Sequence, residues 1–334
     1  MMRQIQLFVL GIISFLITGQ ALGQQFPLTD HYLFNPYALS PASAGSREKG
    51  AFFFNYRKDW INFGNSPETF RFNTHFHIGN NMYLGAEAFM DEVDIFERFK
   101  GSMSYTYRLQ MAEAQYLHFG IWGSVYQNII RVDEIYGNPD DPLIRNLDQL
   151  TKMTYNAGFS LIYYNNAFEV GIGMPTLLRT KDAYLEISQG NFAFEQEFQF
   201  HIGNTFDLSP GLQLMPVVVV RKTSNQPTII DASASFIFGE KFWLSGLYRN
   251  SKVIALGLGG ELFNSMNLNY SYELGLGGIH YDGGGTHEIT LGFRFGQNDK
   301  DDVKEYKQKN KKQKNKRYML HDYQQMYEQK YRRD

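Results

Sequence analysis

The stretch HEITLGFRFG, His287 to Gly296, decides the fold. Ile289, Leu291, Phe293 and Phe295 fall on one side of an extended chain, and Glu288, Thr290, Gly292 and Arg294 on the other. Alternate side chains of a strand point to opposite faces, so one face is apolar and the other carries an acid and an arginine. A soluble sheet would bury the apolar face against a second layer. The same alternation recurs from Ala51 onward, with no separate apolar segment to supply that layer. The pattern predicts polar faces turned to a lumen and apolar faces turned to lipid.

The clearest repeat lies at Phe70, Phe72, Thr74, Phe76 and Ile78, which alternate with Arg71, Asn73, His75 and His77. On this reading Asn73→Arg, on the lumen face, is predicted to be mild. Ala51–Tyr56 is apolar on both faces, and Pro216 weakens the strand from Leu212 to Val220, because proline cannot donate to a ladder. Turns fall at Asn80-Asn81, Asn165-Asn166, Ser209 to Gly211, Gly239-Glu240 and Asn264-Ser265, and long polar connections at Asn128–Lys152 and Pro175–Asn191. Asp91, Glu92 and Asp94 read as a short acidic connection. With Asp133, Glu134, Asp140 and Asp141 they form acidic outer loops that are either solvated or a calcium site. Short turns on one side, longer loops on the other and an even strand count are the outer-membrane layout. Closure leaves no unpaired backbone in lipid. The prediction is an all-β transmembrane outer-membrane barrel of about 14 antiparallel strands over residues 50–296. No repeat of fixed period supports a propeller or a β-helix.

Aromatics supply 16% of the chain and cysteine none, which suits strands and excludes a disulfide framework, a thiolate metal site and a lipid-bearing cysteine. Arg3, the apolar run from Ile5 to Ile17 and Ala21-Leu22-Gly23 read as a signal peptide over residues 1–23. The run is short for a spanning helix. Residues 24–49 lack alternation but carry Tyr32, Phe34 and Tyr37, too apolar for a free linker. They are expected to be pinned against or inside the barrel. Residues 297–334 hold 12 basic and 7 acidic side chains, against 20 and 27 in residues 1–296. This C-terminal tail reads as a basic periplasmic extension: a solvated Lys304–Arg317 run, then a helical spacing from Tyr318 to Tyr331. Both chain ends are expected in the periplasm.

The inward faces carry Arg71, His75, His77, Arg98, Lys100, Arg108, Glu195, Glu197, Glu288 and Arg294. That lining has no single sign, so either an open lumen or one filled by side chains or Tyr32–Gly45 fits it. No catalytic set emerges; an outer-membrane hydrolase would need a serine–histidine pair within hydrogen-bond reach. His75 and His77 lack a third placed ligand for a metal. Gly257-Leu258-Gly259-Gly260 sits within a strand, not before a helix as a phosphate loop must. Trp60, Trp122 and Trp243 suit interfacial belts. No enzyme activity, cofactor, metal or nucleic-acid partner is expected.

Tyr32-Leu33-Phe34-Asn35-Pro36 followed by Ser40-Pro41-Ala42-Ser43-Ala44-Gly45-Ser46 resembles the N-terminal signature of the PorP/SprF family. Arg57, Trp60, Gly64, Pro67 and Thr69 resemble its next segment, and Thr286–Phe295 its terminal strand. Ser40, Ser43 and Lys58-Asp59 depart from its usual residues. The resemblance implies an outer-membrane component of the type IX secretion and gliding machinery of Bacteroidota. Its implied partners are membrane lipid, periplasmic components of that machinery and a secreted surface adhesin that it anchors or helps export. Tyr318, Met319, Tyr323, Met326, Tyr327 and Tyr331 are the candidate partner-binding face of the tail. A passive porin or transporter of hydrophobic substrates is the alternative, and it requires a continuous lumen.

Overall fold

The computed structural model describes residues 26–131, 153–180, 193–263, 265–277 and 282–297. The strands are β1 (Glu48–Lys58), β2 (Glu68–Gly79), β3 (Met82–Val93), β4 (Phe96–Ala112) and β5 (Gln115–Ile130). They continue as β6 (Met153–Asn165), β7 (Phe168–Thr176), β8 (Glu197–Gly203), β9 (Phe206–Ser209) and β10 (Leu212–Thr223). The last five are β11 (Ile229–Phe238), β12 (Phe242–Arg249), β13 (Val253–Leu262), β14 (Met266–Gly275) and β15 (Thr286–Gln297). All neighbours are antiparallel, β1 pairs with both β2 and β15, and the ring closes where β10 meets β11.

The result is a closed 14-stranded barrel, because β8 and β9 are two halves of one span. β8 pairs with Val217 to Thr223 of β10 and β9 with Leu212 to Leu214. The break between them faces Pro216, whose carbonyl accepts from Asn204 N at 3.2 Å. The proline has no N–H to return to the ladder, so the neighbouring span is interrupted there.

The faces divide as the alternation predicts. Phe54 is 52% exposed while Asn55 beside it is 7%. In β15, Ile289 is 42% exposed and Glu288 1%. The apolar face is the outer wall and the polar face lines a crowded interior.

Two local expectations are corrected. β3 runs on to Val93, and only Asp94-Ile95 separate it from β4, so Asp91 and Glu92 belong to the wall. Asp91 faces inward and accepts from Thr69 Oγ1 at 3.0 Å. Trp122 and Trp243 are buried in the lumen instead of lying in an interfacial belt. Each sits between outward neighbours, Ile121 before Trp122, and Phe242 and Leu244 around Trp243, so parity along the strand places both inside.

Candidate functional site

The lumen is filled by the chain's own N-terminal segment. Three single turns of 3-10 helix, His31–Leu33, Pro36–Ala38 and Pro41–Ser43, fold residues 26–46 into a plug. Pro36 and Pro41 open their turns, where a missing N–H costs nothing. Ser40 caps the last turn by accepting from Ala42 N at 3.3 Å. The plug touches the wall nearly all round. Phe34 stacks on Trp243 of β12 at 4.3 Å between ring centres. Tyr32 donates to Ser233 of β11 at 3.1 Å. Tyr37 shares a 2.7 Å hydrogen bond with Ser104 of β4 and stacks on His75 of β2. Ser40 meets Ser160 of β6 at 2.6 Å. The Ala42 carbonyl lies 2.9 Å from Nδ1 of His118 on β5. Burial pushes the Tyr32 and Tyr37 phenols above the ordinary tyrosine range, so both are neutral hydrogen-bonding groups.

Two glycines make this fit possible. Gly45 has φ +75, and a Cβ there would run into the Tyr83 ring, so both conformation and space demand glycine. Gly120 of β5 lets the Ala42 backbone lie flat on the wall; an added Cβ would sit 2.7 Å from Ala42 Cα.

At the end of the lumen nearer the long connections, the plug is fastened by buried charges. Arg249, the last residue of β12, reaches Asp30 at 2.9 Å, Asp231 of β11 at 2.7 Å and Glu273 of β14 at 3.3 Å. Arg57 of β1 reaches Asp59 at 2.8 Å, Glu273 at 3.0 Å, Glu288 of β15 at 3.2 Å and Asp30 at 3.4 Å. Arg221 of β10 adds a 2.8 Å pair with Asp231. The Thr29 hydroxyl donates to Glu288, and Asp30 N donates to the same carboxylate at 2.9 Å. Burial raises the Asp30 pKa, but the charges of Arg249 and Arg57 outweigh it and hold the carboxyl below the usual aspartate range. Asp30 is thus the plug's anionic contribution to a network that ties it to the wall.

Tyr32, Phe34, Asn35, Pro36, Pro41, Ala42, Ala44 and Gly45 all lie in the plug, and Arg57 lies in the network that fastens it. Trp60, Gly64 and Pro67 instead build the β1–β2 connection, where Ser66 bonds the Trp60 carbonyl at 3.0 Å. Nothing in the packing around Gly64 explains a glycine there. Asp30, Asp231, Arg249 and Glu273 are not singled out by sequence. Their signal is weak: each is a lone charge on an inward face or beside a strand end. His75 and His77 share the inward face of β2, and among the described residues no group of three metal-ligating side chains occurs. The signal peptide, the loop acids Asp133, Glu134, Asp140 and Asp141, and the tail face from Tyr318 to Tyr331 lie outside the described residues. The described chain begins at Phe26, inside the lumen, stacked on Tyr126 of β5.

A closed antiparallel barrel with an apolar outer wall and a latched internal plug defines the class: a plugged transmembrane β-barrel of the outer-membrane type. Within that class the chain belongs to the family described as type IX secretion system membrane protein PorP/SprF, which matches residues 21–293. No curated protein matches the chain. Among solved structures, the CymD monoaromatic hydrocarbon channel is similar over 82% of this chain and 95% of that one, at 10% identity and a TM-score of 0.47. The outer membrane protein Omp33 of Acinetobacter baumannii is similar over 75% of this chain and 100% of that one, at 8% identity and a TM-score of 0.42. The KdgM porin is similar over 73% of this chain and 99% of that one, at 8% identity and a TM-score of 0.39.

Proposed function

We propose that this outer-membrane barrel is a structural and docking component of the type IX secretion and gliding machinery, with no catalytic role. On this reading it anchors or helps export a surface adhesin and contacts periplasmic components. The observation that carries the reading is the plug. Residues 26–46 occupy the lumen and bond to strands on every side of it, and the Asp30–Arg57–Arg249 network fastens them. A plugged cylinder offers its rims and tail to partners, whereas a passive porin needs a continuous path.

In the proposed orientation the short turns at Asn80-Asn81, Asn165-Asn166 and Gly239-Glu240 face the periplasm and the long connections face outward. The tail beyond Gln297 then enters the periplasm, where its Lys-rich run steers toward an acidic surface. There Tyr318, Met319, Tyr323, Met326, Tyr327 and Tyr331 form the docking face. Single cysteines in this cysteine-free chain test the orientation with an impermeant reagent on whole cells: Asp140→Cys is expected to label and Asn80→Cys to stay unlabelled. The reverse pattern overturns the orientation. Truncation after Gln297 tests the tail. The shortened barrel is expected at normal level in the outer membrane but without its periplasmic partners on affinity purification. Retention of those partners would move the contact to the short turns.

A further inference from the structure

Beside the plug, on the side facing β2 to β5, lies a cavity of about 130 Å3. Register builds its wall. Arg71 stands opposite Phe89, Phe89 opposite Lys100, and Lys100 opposite Tyr126, so one inward rung crosses four strands. Charges around this space are mostly spoken for. Lys100 is held by Glu87 at 2.6 Å and Arg221 by Asp231 at 2.8 Å. Glu197 makes no ion pair with any described residue, and among the cations the exception is Arg71. Its guanidinium makes no hydrogen bond or ion pair with any described residue, and its Nε is buried without a partner. It lies over the Phe89 ring, 5.2 Å from its centre, and Phe89 in turn meets Phe26 of the plug edge to face at 6.2 Å. Glu87 feels the charge of Arg71 only from beyond contact distance. A guanidinium set over a ring, with its Nε buried and unpartnered, is costly unless something accepts from it.

We propose that this cavity binds a small molecule carrying one carboxylate on an apolar body. Arg71 donates two parallel N–H···O bonds to the carboxylate, the geometry its planar fork favours. Phe26, Trp122 and Tyr126, which line the same space, cover the apolar part. Glu87 and Glu197, also in the lining, disfavour a second negative charge. On the measure by which one water needs about 10–15 Å3, the space admits a molecule of roughly ten non-hydrogen atoms. The carboxylate belongs either to a free organic acid or to the end of a peptide chain.

Isothermal titration of the purified, detergent-solubilised full-length barrel tests this with 3-phenylpropionate and its neutral isostere 3-phenylpropionamide. The acid is expected to bind and the amide to bind roughly tenfold or more weakly, as loss of a charge-assisted bond implies. Arg71→Gln is expected to abolish the preference for the acid. Arg71→Lys, which keeps the charge and loses the fork, is expected to weaken it, and serves alone if Arg71→Gln does not fold by heat-modified gel mobility. A short peptide ending in a free phenylalanine carboxylate, set against its C-terminal amide, tells the two sources apart. If the acid fails to bind and the peptide binds through its carboxylate, the ligand is a chain end. Equal binding of acid and amide in both pairs, a preference that survives the Arg71 variants, or no binding by acid or peptide overturns the proposal.

Discussion

Asp30 sits where arginines from β1 and β12 converge on the N-terminal segment, and its neighbours rank what each substitution costs. Arg249 serves three carboxylates, those of Asp30, Asp231 and Glu273. Arg249→Gln leaves them to share Arg57 and Arg221, and is expected to destabilise by about 3–5 kcal/mol, the range for stranding buried charge. Asp30→Asn removes a single anion from arginines that keep others, so a smaller loss is expected. Urea midpoints in detergent check the order, and a larger loss for Asp30→Asn would contradict it. Because the Asp30 pKa is depressed on folding, its contribution is present above the ordinary aspartate pKa and fades as pH falls through the lower folded value. The plug's protection from protease is therefore expected to hold at pH 5 and to weaken only below about pH 4. Loss of protection near pH 6 would assign the switch to another group. Arg57 and Glu288 are legible in the sequence, the first from the family motif and the second from strand parity. Asp30 and Arg249 are not, since 219 positions separate the two and no periodicity joins them.

At the scale of a strand, β2 shows how far alternation reads and where it stops. Phe72 faces outward and Asn73 inward, as parity requires. Phe72→Arg is expected to cost about 2–4 kcal/mol near the bilayer midplane, measured as lost assembly into lipid vesicles. Sequence alone predicts Asn73→Arg as mild, on the assumption that the lumen has room. Asn73 is 0% exposed, so the larger side chain must displace its neighbours or the plug. The expected result separates the two by medium. Asn73→Arg destabilises in detergent and lipid alike, while Phe72→Arg is selectively harmful in lipid. If Asn73→Arg proves neutral in both, the interior is looser than the packing implies. The same blind spot explains Trp122 and Trp243. Their parity places them inward, but a tryptophan in a barrel strand reads as an interfacial residue until the plug's Phe34 is seen stacked on Trp243.

For the whole molecule, the deciding question is whether the plug stays. Closure and strand number were legible because they rest on local alternation and turn chemistry. The filled lumen was legible only as an apolar stretch from Tyr32 to Gly45 needing a place to go. A cross-link can fix that place. Ser40 of the plug and Ser160 of β6 touch at 2.6 Å between hydroxyl oxygens, and the chain has no cysteine of its own. Ser40→Cys with Ser160→Cys is therefore expected to form a single disulfide on oxidation, and failure to form it would move the plug elsewhere. The locked barrel then separates the two functions. A docking barrel works with its plug in place, so oxidised and reduced forms are expected to support surface display of the adhesin equally. Planar-bilayer conductance is expected to be near zero in both forms and to appear only when residues 26–46 are deleted. A transporter must move its plug: display or uptake that stops on oxidation and returns on reduction would replace the docking reading with the transport one.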